Sequence, residues 1–428
     1  MNPISFDFLF FVTALLILYF SNRFSPKLLL FIFNIGFLLS FGINNFVILV
    51  GIVCISYILY RSVGNNYFSV YLLILVLFYF KLNDFISINY TLPIGLSFLV
   101  FRMINILLNG NLSKLSFTDY FNYSLYFPQL LSGPIASTEQ DTSVLEPDRS
   151  RIRPALILLL DGLTRKLVVS GSISFVVNYF LAEGSSYVTA YVVLIGYVIH
   201  MYFDFSGYVN ISNSITYLLT GKILVNFNRP FFAISIPDYW SRWHITLTKF
   251  FERNIHTKII LNLRQYGLTA VILGLGTTFF ISSIWHGNNI NYFIWGLLHF
   301  IGYIPMLFLR TSFAKNLKLN IIDIPVFFKR IFTFHYIAVT LLFFNFQNFH
   351  DISHYFMDID RLVPIAIPYL VLVNGLKVLV LGGMFILREY RGIAHRTEND
   401  YFSIAFYLVA LLLFGNYHDI DSFIYFKF

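Results

Sequence analysis

Long apolar runs separated by short polar stretches follow one another from the first residues of the chain to the last. A helix that crosses the hydrocarbon core of a bilayer needs about 20 mostly apolar residues, so runs of this length predict membrane spans. The pattern predicts an all-α, polytopic membrane protein with eleven or twelve transmembrane helices. The spans are expected near residues 5–20, 28–41, 44–60, 67–80, 91–108, 154–181, 187–208, 266–285, 290–310, 331–347, 363–387 and 401–417.

Two long stretches, residues 109–153 and 209–265, separate the spans in the middle of the chain. Both contain too many apolar and aromatic residues for ordinary loops. We expect interfacial or re-entrant helices there, buried in protein. Because no internal repeat, proline-rich tract or Gly/Ser linker divides the chain, a single membrane domain over residues 1–428 is the simplest interpretation.

The composition excludes several other classes of protein. Hydrophobic residues make up 57% of the chain and charged residues 12%, whereas soluble domains have about 25% charged residues. A soluble fold has too little interior to bury that much apolar surface. The single cysteine excludes an intramolecular disulfide.

The charge of the chain indicates sidedness, not a nucleic-acid partner. Lys and Arg total 29 against 21 Asp and Glu, and in a membrane protein such an excess marks cytoplasmic loops. With the N-terminus outside, 22 of the 29 basic residues fall in inside loops. We therefore expect a multi-pass protein of the cytoplasmic membrane with its N-terminus outside and a retained first span. The side of the C-terminus depends on the number of spans.

Polar and aromatic residues that are able to take part in catalysis or binding collect between residues 200 and 300. This segment holds five of the ten histidines and all four tryptophans. Ionisable residues at membrane depth are costly, so each is a candidate for function. Asp204 is such a residue, and the sequence leaves open whether it relays a proton or pairs with a neighbouring helix.

The pair Trp285-His286 lies where an apolar helix containing Gly274 and Gly276 reaches Gly287. Glycine frees the backbone at a helix end, so His286 is expected near the end of a span. A neutral imidazole can accept a proton from a hydroxyl, and its ordinary pKa near 6.5 suits that task. The alternative is a structural histidine that bonds a carbonyl.

The pair Trp243-His244 follows a segment in which Ser235 or Asp238 is expected to cap a helix that begins near Pro237. On that helix, the spacing of Tyr239, Arg242 and Trp243 predicts a common face, with His244 beside it. An arginine among aromatic rings suits recognition of a phosphate or of a thioester carrier. The alternative is an interfacial helix anchored at the lipid headgroups.

The chain contains no glycine-rich phosphate loop, no His/Cys set with metal-ligand spacing and no nucleophile elbow. We therefore expect no metal and no bound cofactor.

Five motifs in order resemble the membrane-bound O-acyltransferase (MBOAT) superfamily. They lie between residues 92 and 300: LPIGLSF at 92–98, FPQLLSGPI at 127–135, YFDFSGY at 202–208, RWH at 242–244 and WHG at 285–287. The Arg-Trp-His form is similar to that of bacterial members.

The resemblance implies a helical ring around a central tunnel, with His286 as the catalytic base. It also implies that His244 lies toward the cytoplasmic mouth and helps to hold a thioester donor, either acetyl-CoA or an acyl-carrier thioester. The residues assigned to binding the donor or substrate are Tyr239, Arg242, Trp243, Trp285, Asp204 and Asn288.

Two bacterial branches compete for the substrate. Pro128-Gln129 and the terminal segment 423–428 resemble alginate and polysaccharide O-acetyltransferases. The segment Leu99–Leu107, with Phe101-Arg102, resembles the teichoic acid D-alanyl transfer protein. The first branch implies a polysaccharide acceptor and an extracytoplasmic SGNH-type or membrane-anchored partner protein. A third alternative, a transporter of lipid-linked sugars, would show inverted repeats with paired broken helices, and the sequence shows none.

Overall fold

The computed structural model describes residues 5–63, 66–81, 92–110, 115–182, 186–287, 289–308, 324–346, 348–357, 367–390 and 401–417. Across these ranges the chain forms helices, turns and loops without a β-strand, which confirms the all-α prediction. Six of the described helices are long and apolar enough to cross a membrane, and five shorter apolar helices have 10–17 residues. The prediction of a polytopic membrane protein is confirmed. How many of the shorter helices cross the bilayer stays a prediction.

The α-helices of the described residues are, in chain order, α1 (Phe6–Phe20), α2 (Pro26–Leu39), α3 (Ile43–Val63), α4 (Asn66–Lys81), α5 (Leu96–Asn109), α6 (Phe117–Ser124), α7 (Ile152–Leu163), α8 (Gly171–Ala182), α9 (Tyr187–Thr220), α10 (Ile236–Trp240), α11 (Ile245–Phe251), α12 (Thr257–Asn262), α13 (Leu268–His286), α14 (Ile290–Phe308), α15 (Val326–Asn345), α16 (Phe349–Met357), α17 (Tyr369–Lys377), α18 (Gly383–Tyr390) and α19 (Tyr401–Phe414). Three π-helical segments, Thr164–Ser170, Glu252–His256 and Val378–Gly382, join α7 to α8, α11 to α12 and α17 to α18.

The chain folds into two compact units. Unit 1 comprises Met1–Lys166, Asp204–Val225 and Arg396–Phe428, and unit 2 comprises Leu167–Phe203 and Asn226–His395. Helix α9 contributes residues to both units. The single membrane domain over residues 1–428 stays a prediction.

The span expected at 187–208 is longer in the structure, because helix α9 continues without a break to Thr220. Its 34 residues reach about 51 Å at 1.5 Å per residue, well beyond the roughly 30 Å of a hydrocarbon core. The hydroxyls of Thr216 and Thr220 donate to the carbonyls of Ser212 and Thr216, at 2.9 and 2.8 Å. Polar side chains are thus satisfied within the helix, so the polar residues after position 208 do not end it.

The first long stretch is buried in its central part, whereas residues 143–153 are mostly half-buried or exposed. Helix α6 and a 3₁₀ turn at Phe127–Gln129 form its first half, and residues 120–136 are all buried in unit 1. The second stretch is expected at 209–265, and the structure gives its first part to α9 and its remainder to the short helices α10 to α12. Whether these helices are re-entrant stays a prediction.

Two glycines bring α7 and α9 into close contact within unit 1. A Cβ on Gly162 would lie 2.7 Å from the carbonyl oxygen of Gly207, so a larger residue would separate the helices. The approach places Lys166 beside Asp204, with which it forms a buried ion pair. Neighbouring Arg165 donates to the Asp161 carboxylate at 2.7 Å and to the Ser206 hydroxyl at 3.2 Å.

Candidate active site

His286 is the last residue of α13, as the sequence predicts. Gly287 ends the helix at a φ of +149°, and its N–H donates to the carbonyls of Ser283 and Ile284. A Cβ on Gly287 would come within 3.0 Å of the Tyr292 ring. Both the backbone angle and this contact favour glycine, so the Trp-His-Gly turn has a local structural cause.

Aromatic rings surround the His286 imidazole. Its centroid lies 4.4 Å from that of Trp285, 4.8 Å from that of Phe344 and 5.2 Å from that of Trp295. The side chain is 7% exposed. An imidazole held among rings in a nearly dry environment has a restricted orientation, as a general base requires.

Small and amide side chains assemble the helices around His286. Helices α13 and α14 approach so closely that a Cβ on Gly296 would meet the Ser283 hydroxyl at 2.0 Å. The amide of Asn291, at the start of α14, donates to the carbonyl of Phe346 at 2.8 Å. This bond ties the end of α15, where Phe344 lies, to the helix that carries Trp295.

Asn226 organises the loop that holds His244. Its Oδ1 accepts hydrogen bonds from the backbone N–H and the hydroxyl of Thr246, at 3.0 and 2.8 Å. His244 Nδ1 lies 3.2 Å from the same oxygen and therefore carries the proton of the neutral ring. Burial lowers the pKa of His244 to about 3, so the ring is neutral at physiological pH.

The backbone of His244 is in the left-handed region, with a φ of +44°, which non-glycine residues seldom adopt. The backbone carbonyl of Asn226 accepts from the N–H of Ile245 at 3.0 Å, and Asn228 N–H donates to the carbonyl of Arg242 at 2.9 Å. These cross-loop bonds hold the strained residue in place.

The helix before His244 is shorter than the sequence suggests. Ser235 caps it, as expected, by accepting from the N–H of Asp238. Helix α10 ends at Trp240, however, so the expected common helix face of Tyr239, Arg242 and Trp243 is wrong.

The side chains in this segment point to two different partners. The Tyr239 and Trp243 rings stack at 5.7 Å and 16°, whereas Arg242 donates to Asp238 at 2.8 Å and to the Asn228 carbonyl at 3.4 Å. The Asp238 carboxylate, four residues earlier in the chain, thus orients the guanidinium.

Six of the predicted site residues belong to unit 2, namely Tyr239, Arg242, Trp243, His244, Trp285 and His286. Asp204 belongs to unit 1 and pairs with Lys166, so it is a partner of a neighbouring helical segment, one of the two alternatives for this residue. Its role in binding the substrate stays a prediction. Asn288 lies outside the described residues, and its role also stays a prediction.

The sequence did not single out the residues that support the two histidines. Asn226 and Asn291 are buried amides, and Phe344 is one of 51 phenylalanines. The only available signal was the cost of an amide in an apolar segment, which applies equally to many other positions.

Comparison with known proteins gives a family and several relatives. The pattern of the MBOAT, membrane-bound O-acyltransferase family, matches residues 28–346. A peptidoglycan O-acetyltransferase of Helicobacter pylori is 25% identical over 389 residues, which cover 77% of this chain and 73% of that protein. A teichoic acid D-alanyltransferase of Bacillus subtilis is 23% identical over 324 residues, which cover 69% of this chain and 82% of that protein.

A protein of Pseudomonas syringae pv. tomato, named "Probable alginate O-acetylase", is 26% identical over 227 residues. The match covers 51% of this chain and 43% of that protein. The chain thus spans less than half the length of this relative.

Proposed function

Because the chain belongs to the membrane-bound O-acyltransferase family, we propose that it moves an acyl group, most simply acetyl, from a thioester to a hydroxyl of a cell-surface polysaccharide or of a partner protein. The observation that carries this proposal is His286, an imidazole fixed by rings at a glycine-terminated helix end. The names of the peptidoglycan and alginate relatives favour acetyl as the acyl group.

In the proposed reaction, the neutral imidazole of His286 takes the proton of the acceptor hydroxyl. The hydroxyl oxygen forms a bond to the thioester carbonyl carbon, and the carbon–sulfur bond breaks. The imidazolium then gives the proton to the departing thiolate, so an ester and a thiol form and the base is regenerated. A positioned general base typically contributes about 10²–10⁴-fold to the rate.

His244 and its loop are proposed to hold the thioester donor. The Asn226 contact fixes the ring tautomer, and burial keeps the ring neutral. Because Nδ1 carries the proton, Nε2 of the neutral ring is an acceptor, which suits hydrogen bonding to an amide N–H of a donor better than binding to an anion. Arg242 lies next to it, with its guanidinium partly exposed and already paired to Asp238, and supplies the positive charge for a phosphate group.

The proposed setting is the cytoplasmic membrane of a bacterium, with the N-terminus outside. The basic segment that contains His244 is then on the inner side, where acetyl-CoA or a charged carrier protein is found. The acceptor, a polysaccharide or an SGNH-type or membrane-anchored partner, is on the outer side. Support for this orientation comes from the distribution of basic residues.

A second candidate is D-alanyl transfer from a carrier protein toward teichoic acid. The match to the Bacillus subtilis protein covers more of that relative's length than the match to either acetyltransferase covers of theirs. Both candidates use the same base and the same bond changes, and they differ in the acyl group and its carrier.

Purified protein in lipid nanodiscs tests both candidates with two labelled donors, acetyl-CoA and a D-alanyl carrier protein, each with a polysaccharide acceptor and the cognate partner. We expect label transfer from one donor, and a loss of at least 10²-fold in His286→Ala. His286→Gln, which cannot take up the proton, should be nearly as inactive.

The matched control is His335→Ala, because His335 is a half-buried histidine of α15 that bonds Tyr191. It should keep wild-type turnover. A well-folded His286→Ala protein that retains more than a tenth of wild-type turnover would contradict the role of base, since that loss is below what a general base supplies.

A further inference from the structure

Trp240 is the last residue of α10, three residues before the Trp243-His244 pair. Its indole N–H donates to Nδ1 of His299 at 3.2 Å. The Trp240 ring also lies 5.8 Å from that of Phe279 on α13 and 5.9 Å from that of Trp295 on α14. We call the segment that contains Trp240 and His244 the donor-side segment, since His244 is proposed to hold the donor. The Trp240 side chain thus connects the donor-side segment to α13, which carries His286, and to α14.

His299 is almost fully buried, with 1% of its surface exposed. Its ring stacks on Phe279 at 6.0 Å and 15°, and its centroid lies 4.9 Å from that of Trp295. Because Nδ1 accepts the indole proton, the neutral ring carries its own proton on Nε2. His299 therefore presents a fixed acceptor to Trp240 from within an aromatic cluster.

Trp295 completes the connection to the proposed base. It lies one helical turn before His299 on α14, and its ring is 5.2 Å from that of His286. It also contacts Phe344 at 5.0 Å, a ring that borders His286 from α15. A displacement of Trp240 or His299 would thus be transmitted to a ring that contacts the base.

We propose that His299 is a positioning residue of the acyltransferase: by holding the Trp240 indole, it sets the distance between the donor-side segment and His286. The proposal rests on the proposed function. It assigns no proton transfer to His299, whose bond to Trp240 acts through geometry.

The size of α10 explains why such a bond matters. A helix of five residues is too short to be stable by itself, because nucleation fixes several residues for few hydrogen bonds. The Ser235 cap holds its first turn, and the indole bond holds its last residue. A buried donor that loses its acceptor is unfavourable, so the bond also excludes other orientations of the Trp240 ring.

Three substitutions separate the bond from the packing. His299→Phe keeps a ring against Phe279 but removes the acceptor, whereas His299→Asn keeps an acceptor near the Nδ1 position but removes the ring. Trp240→Phe keeps an apolar ring and removes the donor. The fourth protein combines His299→Phe with Trp240→Phe, so that neither partner of the bond remains.

We expect His299→Phe and Trp240→Phe each to lower kcat/KM about tenfold, mainly in kcat, because small misplacements of reacting groups are costly. The double variant should be no worse than either single one, since both remove the same bond. His299→Asn should recover most of the loss, and the pH dependence of kcat should be unchanged in all variants.

Two kinetic results would overturn the proposal. Wild-type kcat in His299→Phe would show that the bond is not used, and a loss in His299→Asn as deep as that in His286→Ala would make His299 a catalytic residue. Thermal unfolding of the same four proteins reports on the bond without an acyl donor. If the losses of melting temperature in the two single variants do not add up in the double variant, the contact is real, and an inactive wild type would then refute only the proposed function. If the two losses add up, the contact itself is refuted.

Discussion

Replacement of Lys166 by methionine tests the buried ion pair of unit 1. The side chains of Lys166 and Asp204 are 6% and 1% exposed, so water cannot replace the lost ammonium group. Removing one partner of a buried ion pair typically costs about 3–5 kcal/mol, because the remaining charge stays in a low-dielectric interior. We expect Lys166→Met to lose stability in this range, a large part of the 5–15 kcal/mol that is typical of proteins.

The measurement is thermal unfolding of detergent-purified protein, followed by the fraction that remains monodisperse in size-exclusion chromatography. Lys166→Met combined with Asp204→Asn is the matched control, since it removes both charges and should recover most of the loss. A single variant that unfolds at the wild-type temperature would refute the reasoning, as would a double variant that is no more stable than the single one.

Arg102 provides a second comparison in the same unit. It is fully buried, and its guanidinium lies over the rings of Tyr123 and Tyr126 at 5.0 and 5.6 Å. Its one hydrogen bond within the described residues goes to the carbonyl of Tyr126 at 3.4 Å. Arg102→Met therefore leaves no carboxylate without its cation, and the same assay should find it far less damaging than Lys166→Met.

Three further predictions concern the site and its orientation. Gly296→Ala should lower kcat by about 10²-fold, because the new methyl meets the Ser283 hydroxyl and moves the helix that carries the base; adding Ser283→Ala should restore part of it, and wild-type kcat in the single variant would contradict the packing. His244→Ala should raise the KM for the thioester more than that for the acceptor, and equal changes in steady-state kinetics would argue against a donor site. In a cysteine-free background, Asn254→Cys should react with an impermeant thiol reagent only from the cytoplasmic side and Asp351→Cys only from outside, and the opposite pattern would invert the topology.

Local patterns predicted those features of the fold that depend on neighbouring residues. The apolar runs predicted the helices, because the tendency of a segment to form a membrane span depends on its own length and hydrophobicity. Ser235 and Gly287 were identified at helix ends, because an N-cap side chain and a C-terminal glycine act on backbone groups only three or four positions away. The family was predicted from motifs in order and is confirmed by the match over residues 28–346.

The features that the sequence missed depend on residues far apart in the chain. Trp240 and His299 are 59 residues apart, and Asn291 and Phe346 are 55 apart. No periodicity links such positions, so a buried histidine or amide at one of them resembles any other polar residue in an apolar run. The early end of α10 has the same origin, because the bond of Asn228 to the Arg242 carbonyl closes the loop there.

The polar pair in unit 1 and the two histidines of unit 2 are held by different means, and the difference bears on function. In unit 1, Lys166 and Asp204 form a buried ion pair. In unit 2, His244 is oriented by the amide of Asn226 and His286 lies among rings. A carboxylate beside an imidazole favours its charged form, whereas an amide orients the ring without doing so. A donor-binding histidine that must stay neutral therefore fits an asparagine partner, and Asn226→Asp should raise the pKa of His244 and weaken donor binding as pH falls.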